Sequence, residues 1–281
     1  MTTPVEVVLA PPEDAVLQRI DAGVAWITLN RPEAGNAVTA AMRDQIVVWL
    51  EEASADLSVR VVVLSGTGEK GFCTGADLRS QGLPPARPEG APDRAVGDAA
   101  RLIRTGWQRL VSAVLDCEKP VIAAVQATAA GGGMHLALAC DLVVAAEEAK
   151  FIEVFIRRGI APDAGGAYLL ARLIGPQKAK ELFFFGDDVP AREAERMGLV
   201  NKVVPRADLM DEVGAWASRL ARAPTKAISV AKYLTNRALD TDRSTALWDE
   251  AVGQELVTGT QDCREGLTAF AERRPPVFQG W

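Results

Sequence analysis

Three consecutive glycines, Gly131-Gly132-Gly133, follow a strand-like run at residues 120–126 and precede an apolar stretch of helical character, Met134-His135-Leu136-Ala137-Leu138-Ala139. No other feature restricts the backbone as tightly. Glycine at a strand-to-helix junction lets the chain turn sharply and lets another group approach closely. The helix start behind it offers unpaired N–H groups and a partial positive charge. Such a corner suits an anion, or an oxygen that becomes negative during a reaction. The alternative is a glycine-rich turn that serves packing alone.

The motif does not stand alone. A β-branched run at residues 59–65 leads into a second glycine-rich turn, 66–78, and a third at 159–166 opens a helix at 167–174. Two such turns could supply N–H donors from opposite sides of one pocket. Strands are expected at 16–21, 24–29, 121–125, 141–146 and 200–204. Thr39 is placed to cap a helix whose apolar positions are Met42, Ile46, Trp49, Leu50, Ala53 and Leu57. Further helices are expected at 98–115, 178–185, 191–197, 208–221, 225–238, 244–258 and 261–273, with Gly175-Pro176 as a break. Alternating strands and helices predict an α/β fold with parallel sheet. Residues 1–205 read as the core and 206–281 as a helical region for oligomerisation and site closure. The Pro- and Gly-rich stretch 81–97 reads as a loop, either a lid or disordered, and 1–14 as a loosely held tail.

Composition narrows the chemistry. The 281 residues carry a net charge of −6, which disfavours nucleic acid or an anionic membrane as the main partner. A single histidine, His135, excludes a multi-histidine metal centre, and no metal is expected. Cys73, Cys117, Cys140 and Cys263 are widely spaced and read as reduced thiols of a cytoplasmic protein. No apolar run is long enough to span a bilayer.

The ordered blocks resemble the enoyl-CoA hydratase/isomerase (crotonase) superfamily. They are Ile27-Thr28-Leu29-Asn30-Arg31-Pro32 with Asn36-Ala37, Gly71-Phe72-Cys73-Thr74-Gly75-Ala76-Asp77-Leu78, the glycine triplet, Ala139-Cys140-Asp141, Pro162-Asp163-Ala164-Gly165-Gly166, residues 194–200 and residues 264–270. The resemblance implies a crotonase (ClpP-like) spiral of ββα turns with a C-terminal helical extension. It implies homotrimers or hexamers, and an acyl-CoA substrate whose coenzyme A is part of the substrate, with no separate cofactor. By the same resemblance, the backbone N–H groups of Thr74 and Gly132 would form an oxyanion hole for the thioester oxygen. Ala37, Thr74, Gly75, Ala76, Asp77 and Leu78 would line the CoA site. Asp77 and Asp141 are expected to hold turns rather than move protons.

The two glutamates that share hydration in family hydratases are replaced by His135 and Phe155. Phe155 cannot move a proton and is expected in the acyl pocket. Asp163 occupies a position that carries an aspartate in the branch acting on dienoyl-CoA and ring-type acyl-CoA, closest in pattern to phenylacetate-pathway isomerases. Asp163 is therefore expected as general base or proton shuttle, with helix capping as the alternative, and His135 as its assistant. Glu153, if helical, would face away from Phe155. The favoured reaction is isomerisation of an enoyl-CoA or ring acyl-CoA. Its rivals are hydration by a water placed by His135 or Asp163, hydrolysis or carbon–carbon cleavage, and a catalytically silent CoA-binding subunit.

Overall fold

The computed structural model describes residues 14–79, 87–92 and 95–281. Nearly all of the expected N-terminal tail, and residues 81–86 and 93–94 of the expected loop, lie outside the described residues. The chain opens with the hairpin β1 (Val16–Asp21) and β2 (Val24–Leu29), followed by α1 (Ala40–Ala55), capped by the Thr39 hydroxyl. One order of elements then repeats. A strand of a large sheet is followed by a strand of a small sheet and then by helix. β3 (Val61–Gly66) and β4 (Gly71–Cys73) precede α2 (Asp98–Ile103) and α3 (Arg109–Asp116). β5 (Val121–Val125) and β6 (Thr128–Ala130) precede α4 (Gly132–Ala139). β7 (Leu142–Ala146) and β8 (Lys150–Ile152) precede α5 (Gly166–Phe185).

Equivalent strands pair with one another. The six-stranded sheet runs β1-β2-β3-β5-β7, with β10 (Lys202–Val204) at its edge; every pair except β1·β2 is parallel. The four-stranded sheet runs β4-β6-β8, in parallel, and ends on β9 (Asp188–Pro190), antiparallel to β8. This is the expected spiral of ββα turns. Sequence pattern marks these three-residue strands weakly: β4 and β6 lie inside or beside a glycine turn, and only a short strand end from Phe151 is expected at β8. The helix expected at 98–115 is interrupted by a wide turn, where Gly106 leaves helical geometry (φ −98°, ψ −107°).

Strands β3 and β5 of the large sheet are buried on both faces, as continuous apolar runs in parallel strands require, while the edge strand β1 is mostly exposed. Val62 and Leu64 of β3, with Val121, Ala123 and Val125 of β5, face a core shared with α1, α3 and α4. Val61, Val63, Ile122 and Ala124 face the other way, onto Leu209, Val213 and Ala217 of a later helix spanning Leu209–Ala221. The packed core therefore runs past residue 205. Between β9 and β10 lies α6 (Ala191–Met197), and the helix over the sheet is α7. Beyond it, α8 (Thr225–Ala238), α9 (Arg243–Thr258) and α10 (Gln261–Glu272) leave large apolar side chains uncovered, among them Trp248 at 69% and Phe270 at 86% exposure. Among the described residues no helix is long and apolar enough to cross a membrane.

The spiral is tightest where β4 and α4 meet. A Cβ built on Gly133 would lie 2.0 Å from the Cys73 carbonyl oxygen and 2.5 Å from its carbon, both rigid backbone atoms. Only a residue without a side chain fits. Gly133→Ala is expected to cost about 3 kcal/mol or more, at the upper end of overpacking effects. Urea denaturation reads this as a lower midpoint at unchanged slope. An unshifted midpoint would show that the two turns part easily.

Candidate active site

Because β4, β6 and β8 are adjacent and parallel, their C-terminal ends lie side by side. Cys73 pairs with Ala129, and Ala130 with Ile152. The segments leaving those ends are the three that the sequence marks: residues 74–78, the glycine triplet, and residues 153–163. The carboxyl ends of parallel strands are where open α/β sheets place ligands.

The first segment corrects an expectation. Thr74 does not offer its N–H to a ligand, because that group donates to the Gly35 carbonyl (3.1 Å), and the Thr74 hydroxyl reaches the same oxygen (3.1 Å). Thr74 is a strut between the turn and the loop at Gly35. Gly75, at φ +98°, reverses the chain beyond it. Ala76 then forms a parallel bridge with Val38, in which Val38 N–H donates to Gly75 O (2.8 Å) and Asp77 N–H to Val38 O (3.0 Å). In that pattern the N–H of Ala76 itself points away from Val38. Among the described residues it finds no acceptor, and Ala76 is exposed. A Cβ on Gly75 would lie 3.5 Å from the Gly132 nitrogen, so this turn runs directly against the start of α4. Gly132 is the first residue of α4, so its N–H has no partner within the helix. Two open N–H groups therefore come from neighbouring turns, with Ala76 in the place expected for Thr74.

The remaining residues of that segment hold its shape. The Asp77 carboxylate accepts from the Arg31 guanidinium (2.8 Å), which also bonds the Ala37 carbonyl (2.8 Å), and from the Arg79 N–H (2.9 Å). Asp141 likewise accepts from the Val121 N–H (2.7 Å) and pairs with Lys232 (2.9 Å). Both aspartates hold backbone in place, as expected. Ala37 is half-buried beside this network, and Leu78 is exposed. Cys73 lies behind the turn, where burial pushes its thiol up to about 12, so it stays protonated and is a poor nucleophile.

His135 sits one turn into α4, wholly buried. Its ring stacks on Phe155, with centroids 5.3 Å apart and planes inclined by 16°. Its Nε2 lies 2.8 Å from Glu153 Oε1, in a pair sealed from solvent on both sides. The expectation that Glu153 faces elsewhere is overturned. Glu153 does not lie on a helix but directly follows β8, and the chain turns only at Val154 and Phe155. Extended chain directs the carboxylate where a helix would not. Strand phase with buried Phe151 was the signal that could have found it. Trp107 was also missed. It lies against Gly132, where a Cβ would come within 2.9 Å of its ring, and it shares a helical stripe with Leu110, Val111 and Val114.

Asp163 does not cap α5. That helix starts from Gly165 in left-handed geometry (φ +78°) without a side-chain cap, and Gly166 N–H bonds the Asp163 backbone carbonyl instead (3.0 Å). The carboxylate is left half-buried. Loss of water pushes its pKa up; the His135 ring opposes this and the Glu153 carboxylate adds to it. An acid with this shift binds protons in the folded state that the unfolded chain has already released. Its contribution to stability falls as pH rises from the ordinary value of 3.8 through the raised one. Asp163→Asn is therefore expected to be more stable than the parent at neutral pH and to lose that advantage below the ordinary aspartate range. Urea midpoints at the two pH values check this, and a destabilised variant at neutral pH would contradict it.

A spiral of ββα turns, with open backbone amides and a half-buried acid at the ends of neighbouring strands, defines a crotonase-fold protein. The sequence model described as "Enoyl-CoA hydratase/isomerase" matches residues 19–281, and the chain belongs to that family. It is 36% identical over 265 residues to the 1,2-epoxyphenylacetyl-CoA isomerase of Escherichia coli, covering 94% of this chain and 98% of the relative. It is 36% identical over 269 residues to the crotonyl-CoA hydratase of Syntrophomonas wolfei, covering 95% and 98%. Among solved structures it is similar to an enoyl-CoA hydratase from Bacillus anthracis, with a TM-score of 0.83 and 35% identity over 95% of this chain and 100% of that one.

Proposed function

We propose that this protein binds an acyl-CoA, polarises its thioester carbonyl between the N–H groups of Ala76 and Gly132, and isomerises the acyl group by proton transfer at Asp163. The carrying observation is the Asp163 carboxylate, half-buried, free of helix capping, and acted on by the charges of His135 and Glu153. A raised pKa suits a group that must both take a proton and give it back near neutral pH. Backbone donors fixed by β4, β6 and α4 need no rearrangement as charge develops on oxygen, and one such donor is typically worth about 10²–10³ in rate. Residues 74–78 and Ala37 line the CoA side, while Trp107 and Phe155 flank the Gly131-Gly132 turn and wall the acyl side. The similarity to an acyl-CoA isomerase supports this reading. The uncovered apolar faces of α9 and α10 support assembly with further copies of the chain, and the assembly proposed is a homotrimer or a dimer of trimers, with the cytoplasm as the proposed location.

Hydration is the second reading, supported by the similarity to hydratases. It is favoured specifically by His135 Nδ1 and Glu153 Oε2, two buried polar atoms without a hydrogen-bond partner. Such atoms are suited to holding a water.

Incubation with enoyl-CoA thioesters in deuterated water separates the readings. Isomerisation is expected to give deuterium exchange and a moved double bond at unchanged elemental composition, whereas hydration adds one water to the product. Asp163→Asn is expected to lower kcat by about 10²-fold or more, the usual scale for a lost acid–base group. Full turnover in that variant would remove Asp163 from the mechanism. Complete absence of exchange with every thioester would favour a silent CoA binder.

A further inference from the structure

The pair beneath Asp163 has no role in the reading above beyond its charge. His135 and Glu153 are fully buried and joined at 2.8 Å. Burial of this kind is costly unless the pair is geometrically fixed. Three features fix it. Phe155 stacks on one face of the imidazole. The Nε2 end of the ring rests against Gly166, where a Cβ would lie 2.1 Å from Nε2 and 2.2 Å from Cε1. The carboxylate holds the same nitrogen from the end of β8. The ring is thus clamped at one nitrogen, while the other, Nδ1, has no partner. Besides Glu153 and Phe155, Gly166 at the head of α5 lies against the ring, and Asp163 just before it acts on the ring through its charge.

We propose that Glu153 is a positioning residue: it pins a proton on Nε2 of His135, so that the neutral ring keeps Nδ1 bare and presents a single tautomer to Asp163. An ionised carboxylate can only accept, so a contact at this distance places the hydrogen on Nε2 whether the ring is neutral or cationic. Which ring nitrogen carries the proton is set by the hydrogen bond that one of them makes. Glu153 does not touch the reacting atoms and acts through His135 and, beyond it, Asp163. This inference rests on Asp163 chemistry for its kinetic consequence but not for the tautomer itself.

His135 is the only histidine in the chain, so its imidazole can be read by NMR without assignment variants. Two-bond ¹H–¹⁵N spectra of the ¹⁵N-labelled protein are expected to show Nε2 protonated and Nδ1 bare in the neutral ring. A wild-type spectrum with the proton on Nδ1 and a bare Nε2 would overturn the proposal without any variant. Glu153→Gln, which keeps shape but removes the obligate acceptor, is expected to give a mixture of tautomers. Its kcat should fall about tenfold or more while KM changes less than about twofold, the range typical when an outer hydrogen-bond partner of a working histidine is removed. Glu153→Asp is expected to restore the tautomer in part. An unchanged tautomer and unchanged kcat in Glu153→Gln would overturn the positioning role. If Asp163→Asn retains full turnover while the tautomer still depends on Glu153, the reaction reading fails and the positioning of His135 stands.

Discussion

The close approach of Gly133 to the Cys73 carbonyl is the constraint on which the rest depends. It sets how near β4 and the start of α4 can come, with room for no side chain at all. Because β4 and β6 are parallel neighbours, this contact also fixes where each chain turns after leaving the small sheet. The reversal at Gly75 then runs directly against the start of α4, and Ala76 and Gly132 each carry an N–H without a backbone partner among the described residues. The proposed polarising pair would follow from packing two turns too tightly for any residue but glycine.

The fold was legible where side chains report burial, and the site only where they report chemistry. Runs such as Val61-Val62-Val63-Leu64 announce a strand covered on both faces, and the structure covers them on both faces. The small sheet left little such signal, since a three-residue strand has too few side chains to show a period. Sequence pattern points to Thr74 rather than Ala76 as the residue with the open N–H for a related reason. Backbone N–H groups carry no residue-specific mark, and which of two neighbours is free depends on the reversal at Gly75 and on a bridge to Val38, a residue distant in sequence. Glu153 was misjudged because a helical period was applied to a chain that had just left a strand.

Burial of His135 and Glu153 runs against stability. Two ionisable groups sealed from water, with Nδ1 and Oε2 unpartnered, recover less than a well-packed apolar pair of the same volume would. Their cost is borne by the surrounding frame of Phe155 and Gly166, which leaves the ring a single orientation. Asp163 is unfavourable in the same sense, because burial works against its charged form. Three groups that each lower stability converge at one corner, while the aspartates that hold turns, Asp77 and Asp141, all find partners. Such clustering of unfavourable groups in a cleft is a mark of function rather than of packing.

Phe155 makes the division of labour intelligible. An aromatic ring at this position removes one carboxylate from the acyl side, yet it also supplies the flat surface on which His135 stacks. A carboxylate returns two residues earlier, at Glu153, but beneath the imidazole and out of solvent. Asp163, eight residues after Phe155 and at the head of α5, becomes the acid in this cluster that keeps partial access to the cleft. In the proposed reaction, proton transfer is thereby concentrated on one half-buried carboxylate backed by a buried imidazole–carboxylate pair. That asymmetry fits the proposed transfer of a proton from one carbon to another better than a reaction in which two acids share a water.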